Sequence, residues 1–99
     1  MRTYEVTYIV HPDLDDAGFK QINDQVQTWI KDSGGQIAKA DIWGKRKMAY
    51  PIRKQSEGQY VLLHAEMDPT FCAELERQLR LQEPVMRFLI IGVDEEEES

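Results

Sequence analysis

From Thr3 to Val10 the chain alternates, with Tyr4, Val6, Tyr8 and Val10 on one side and Thr3, Glu5 and Thr7 on the other. That is the period of a strand buried on one face. His11-Pro12-Asp13 breaks the run. Asp15 then stands as a cap before Phe19, Ile22, Val26, Trp29 and Ile30, whose spacings of three and four make one apolar helical stripe. Ser33-Gly34-Gly35 ends this helix, because glycine takes the left-handed conformation at a helix C-terminus cheaply.

A second strand is predicted from Gln36 to about Met48. Its parity is ambiguous: Ile37 and Trp43 share one face, Ala38, Ala40 and Ile42 the other, so a face-switching bulge is expected. Pro51 and the turn chemistry of Gln55-Ser56-Glu57-Gly58 predict a long exposed hairpin end over Gly44–Gly58. A third strand follows from Gln59 to Met67, with Val61, Leu63, Ala65 and Met67 on one face and Tyr60, Leu62, His64 and Glu66 on the other. Asp68-Pro69 reads as a helix start, and Cys72, Leu75 and Leu79 form that helix's apolar stripe. Pro84 stops it before a last strand, Val85–Val93, which sets Phe88 and Ile90 against Arg87, Leu89 and Ile91.

The order strand, helix, strand, strand, helix, strand predicts an α+β fold of the ferredoxin-like βαββαβ plan. It is a four-stranded antiparallel sheet with two helices on one face. The other face, carrying Thr3, Glu5, Thr7, Ile9, Tyr60, Leu62, His64, Arg87, Leu89 and Ile91, is expected to stay open, with an aliphatic patch that suits a partner. One domain is expected over residues 1–93. The run Asp94–Glu98 repels itself, so residues 94–99 are expected to be a disordered acidic tail.

Charge changes this picture at one place. The 99 residues carry a formal net charge of -6, much of it in the tail, which argues against gripping nucleic acid with the whole surface. Yet Gly44–Lys54 holds five basic residues, Lys45, Arg46, Lys47, Arg53 and Lys54, around Tyr50 and no acid. Two readings stand on composition: a surface that meets phosphates and offers an aromatic ring to a base, or a solvated tip whose charges protect an edge strand. The single cysteine, Cys72, excludes an internal disulfide, and no signal peptide or long apolar run occurs. A reducing cytoplasmic setting without a membrane role is expected.

Enzymatic readings find little support. His11 and His64 belong to no metal-ligand spacing, so neither metal nor other cofactor is expected. His64 as a general base would have only Glu66 nearby in sequence to orient it. An acylphosphatase-like site would need a phosphate cradle after the first strand, where His11-Pro12-Asp13-Leu14-Asp15 is acidic. Cys72, on an apolar stripe, is expected to be a buried, unreactive thiol. Gln59-Tyr60-Val61-Leu62-Leu63 lacks the aromatic signature of the common RNA-recognition motif.

Met1-Arg2-Thr3-Tyr4-Glu5-Val6, Val10-His11-Pro12 and above all Trp43-Gly44-Lys45-Arg46-Lys47-Met48-Ala49-Tyr50-Pro51-Ile52-Arg53-Lys54 closely resemble the bacterial small-subunit ribosomal protein S-six family. The resemblance runs from residue 1 to about residue 93. It implies the fold derived above, no enzymatic activity, and a place on the cytoplasmic ribosome. There it implies binding to the central domain of small-subunit ribosomal RNA together with ribosomal protein S-eighteen as heterodimer partner. By position it makes Arg2, Arg46, Tyr50 and Lys54 candidate RNA contacts. Charge and placement add Lys45, Lys47, Arg53 and Arg87. Leu62, His64, Leu89 and Ile91 are the expected protein-partner face. The alternative from another class is a small dimeric ferredoxin-like enzyme or regulator that closes its open sheet by self-association.

Overall fold

The alternating first segment becomes β1 (Arg2–Val10), and the sheet is built outwards from it in a computed structural model that describes residues 2–93. It is followed by α1 (Asp16–Asp32), β2 (Gln36–Ile52), β3 (Gln55–Met67), α2 (Phe71–Leu81) and β4 (Val85–Gly92). The strand order is β2-β3-β1-β4, and every neighbouring pair is antiparallel. This is the predicted ferredoxin-like arrangement. The expected tail, residues 94–99, lies outside the described residues.

Period-two patterning decides which face is buried. Val6, Tyr8 and Val10 of β1 and Val61, Leu63, Ala65 and Met67 of β3 meet Ile22, Val26 and Ile30 of α1 and Leu75 and Leu79 of α2 in one core. Phe88 and Ile90 pack at its margin, as their parity in β4 requires. Cys72 is half-buried rather than fully enclosed. Within the core the Tyr8 hydroxyl donates to Asn23 Oδ1 at 2.6 Å, so the two buried polar groups satisfy each other.

Helix ends follow the predicted chemistry at α1 and shift at α2. Asp15 Oδ1 accepts from the Gly18 N–H at 2.9 Å. Beyond the helix Gly34, at φ 96°, closes a Schellman motif in which the Gly35 and Gly34 N–H groups donate to Ile30 and Lys31 carbonyls. At α2 the capping position is Thr70, two residues beyond the expected Asp68, and its own side chain makes no cap bond. Asp68 still acts there: its Oδ1 accepts from both the Thr70 N–H and hydroxyl, ordering the turn that feeds the helix.

Two expectations about the β2–β3 hairpin are corrected. Gln55-Ser56-Glu57-Gly58 is not the turn but the start of β3, and β2 continues past Met48 to Ile52. Only Arg53 and Lys54 lie between the strands, both with positive φ, at 53° and 66°. Pro51 is tolerated because β2 is an edge strand. Gly58 is buried, and its absent side chain matters for packing: a Cβ there would lie 2.3 Å from Ile9 Cγ2. The parity of β2 is also resolved. A register break after Ile37 puts Ile37, Ala40 and Ile42 opposite Ala65, Leu63 and Val61, hence on the helix side, and a second break at Trp43 turns that ring to the open side.

Candidate nucleic-acid interface

The ladder between β2 and β3 is regular through Lys45↔Gln59, Arg46↔Gly58 and Lys47↔Glu57. Then Met48, Ala49, Tyr50 and Pro51 stand against Ser56 alone before pairing resumes at Ile52↔Gln55. Excess residues on one strand bend and twist it. The hairpin end therefore forms an arm that curls towards the open face. Its Tyr50 reaches Arg87 of β4, although two strands separate β2 from β4 in the sheet. Arg87 Nη1 donates to the Tyr50 hydroxyl, and the guanidinium carbon lies 5.7 Å from the ring centroid. Beneath the arm Ile9 is only 8% exposed, although its face of the sheet is otherwise open. Met48, Ile52 and Tyr60 help to line a cleft of about 220 Å³ there.

At the arm's tip Arg53 reaches across to the start of β4, its Nη1 and Nη2 donating to the Glu83 and Val85 carbonyls at 2.9 and 3.2 Å. The candidate RNA contacts thus divide into three groups. Lys45, Arg46, Lys47 and Lys54 are exposed on the arm and make no ion pair or side-chain hydrogen bond among the described residues. Tyr50, Arg53 and Arg87 are exposed too, but each is engaged with another part of the chain. Arg2 pairs with Met67 at the opposite end of β1, eight residues and roughly 26 Å of strand away from Val10.

The expected partner face is brought together. In the registers of β1 with its two neighbours, Leu62, Thr7 and Leu89 form one row and His64, Glu5 and Ile91 the next. Leu89 and Ile91 are 57% and 47% exposed, large aliphatic groups with no helix over them. His64 Nε2 and Glu5 Oε2 are 3.9 Å apart within the patch. Beside it Trp43 and Tyr60 stack at 6.2 Å between centroids with 12° between planes. Sequence reasoning did not assign this pair a role. Its signal was a tryptophan next to Gly44 on an edge strand. Among the described residues no group of three or more His, Cys, Asp or Glu side chains is placed to hold a metal ion, and no helix is long and apolar enough to cross a membrane.

Residues 3–92 match the family model described as Ribosomal protein S6. The chain is 44% identical to the small ribosomal subunit protein bS6 of Caldanaerobacter subterraneus, covering 96% of this chain and all of that one. It is 41% identical to the protein of the same name from Moorella thermoacetica, over 97% of this chain and 98% of the other. The crystal structure of 30S ribosomal protein S6 from Thermotoga maritima superposes with a TM-score of 0.92 at 28% identity, covering 98% of this chain and 92% of that one. The match spans the sheet, both helices and the basic arm, and the chain belongs to the ribosomal protein S6 family.

Proposed function

We propose that this protein is a non-catalytic component of the small ribosomal subunit. It binds the central domain of small-subunit ribosomal RNA through the basic arm and ribosomal protein S-eighteen through the open sheet face. The observation that carries this reading is the placement of two unsatisfied surfaces side by side. Four cations on the arm have no partner among the described residues, and the aliphatic rows of Leu62, Leu89 and Ile91 have no helix above them.

Charge sets how the two surfaces cooperate. Four free cations supply at most about four phosphate contacts, too few for tight binding at physiological salt. Five of the 18 acids fall in Asp94–Glu98 and oppose approach to a polyanion. A partner docked on the open face with basic residues of its own makes the arm's contacts effectively intramolecular, so affinity rises without a new contact from this chain. Arg2, at the far end of β1, would meet the RNA at a separate point. Measuring RNA affinity at fixed salt with and without ribosomal protein S-eighteen tests the proposal. Weak binding alone and a steep gain with the partner is the expected result. Tight binding alone refutes the co-binding, and self-association through the open face with no RNA binding favours a dimeric regulator.

A further inference from the structure

We infer that Arg53 and Arg87, which charge and placement put among the RNA contacts, are positioning residues that clasp the arm in its curled conformation. The turn at Arg53-Lys54 has positive φ at both central residues, 53° and 66°. A two-residue hairpin turn of that kind ordinarily uses Asn-Gly or Asp-Gly, because larger side chains disfavour the left-handed region. Neither residue here belongs to that set. What holds the turn is distant in sequence: the Arg53 guanidinium spans the Glu83 and Val85 carbonyls where α2 hands over to β4. Strain held in place by outside contacts marks a conformation the surroundings impose.

The second clasp works from the other side. Arg87 projects from β4 and holds Tyr50 by a hydrogen bond to its hydroxyl and by contact with its ring. Tyr50 lies inside the stretch where four residues oppose one, so the β2–β3 ladder alone directs the arm poorly at that point. One arginine reaches out from the arm and one reaches in from the sheet. Together they fix the direction in which Lys45, Arg46, Lys47 and Lys54 point before any ligand arrives. Preorganisation of this kind raises affinity by removing an ordering cost, without adding an interaction of its own.

The role in RNA binding rests on the proposed function, whereas the clasp can be measured in the free protein. Amide hydrogen exchange over residues 45–57 should rise in Arg87→Lys and Arg53→Lys, which keep the charge but lose the planar donor fork, and in Tyr50→Phe, which removes only the hydroxyl. With ribosomal protein S-eighteen and RNA present, Arg87→Lys should weaken binding on the order of tenfold with an unchanged slope of log affinity against log salt. Arg46→Ala, the control, should lower that slope by about one with exchange unaltered. The clasp is overturned if Arg87→Lys binds like the unsubstituted protein while Arg87→Ala lowers the slope by about one and leaves exchange unchanged, the behaviour of a phosphate contact. Raised exchange with no RNA binding by any form supports the clasp and defeats the RNA-binding reading alone.

Discussion

Gly58 and Ile9 meet so closely that a Cβ on the glycine would stand 2.3 Å from Ile9 Cγ2. The glycine leaves room on β3 for the side chain of Ile9 on the neighbouring strand, which is buried beneath the arm. Gly58→Ala should therefore destabilise the fold by about 1–3 kcal/mol, the range for forcing an extra carbon into packed space. Chemical denaturation measures this. Adding Ile9→Ala should relieve part of the overlap, so the double variant should lose less than the sum of the single losses. Additive losses would mean that the two side chains do not compete for the same volume.

The hydroxyl of Tyr8 is an internal donor, and burial, with a smaller effect from Asp24, pushes it well above the ordinary phenol range. Folding thus favours the protonated form. This contribution is fully present below about pH 10, where the unfolded tyrosine still keeps its proton, and is lost as pH rises towards the higher folded value. Tyr8→Phe should flatten the alkaline fall in stability. At neutral pH it should cost about 1–3 kcal/mol, because Asn23 Oδ1 is left without its donor in the core. Parallel denaturation series at neutral and alkaline pH separate the two effects.

Leu89→Asp should leave the isolated fold within about half a kcal/mol of its original stability, since the side chain is 57% exposed. The same carboxylate should abolish docking of ribosomal protein S-eighteen, where it would be buried without a counter-charge. Calorimetric titration with the partner reads one effect and thermal unfolding the other. Unfolding of the isolated protein would instead put Leu89 in the core.

Arg46→Ala and Lys54→Ala together should lower the salt slope of RNA binding in the partnered complex by about two, one for each phosphate that the arm no longer neutralises. Affinities measured across a salt series decide this. An unchanged slope would move the RNA-binding surface off the arm.

The sequence displayed the layers of the fold because each buried face has one period along its whole element. Tyr4 to Val10, Val61 to Met67 and the Ile22–Val26–Ile30 stripe all met the core they implied. The hairpin hid its geometry because its conformation is imposed from elsewhere. Local turn chemistry favoured Gln55 to Gly58, but the bonds that fix the true turn run from Arg53 to carbonyls about thirty residues away. Gly58 looked like a turn residue and proved to be a gap for Ile9. Parity in β2 failed for a related reason, since register breaks after Ile37 and Ile42 leave no single alternation to read. The cluster of basic residues was visible by composition. Which of them are held by the protein itself depends on β4 lying near the hairpin tip, a fact of topology rather than of spacing.

The strand order carries a consequence for how the chain acquires its structure. β1, first in chain order among the described elements, pairs on one side with β3 and on the other with β4, the last of them in that order. The nascent chain can form the β2–β3 hairpin locally, but the central strand keeps an unsatisfied edge until β4 arrives, and that pairing closes a loop that runs from Val10 to Val85. Such non-local closure is slow compared with helix or hairpin formation. The rate-limiting event should thus be the docking of β4, the same strand that carries Leu89, Ile91 and Arg87. Leu89 and Ile91 of the proposed partner surface and the anchor for Tyr50 should take their places only in that step, so a chain interrupted before β4 should present neither.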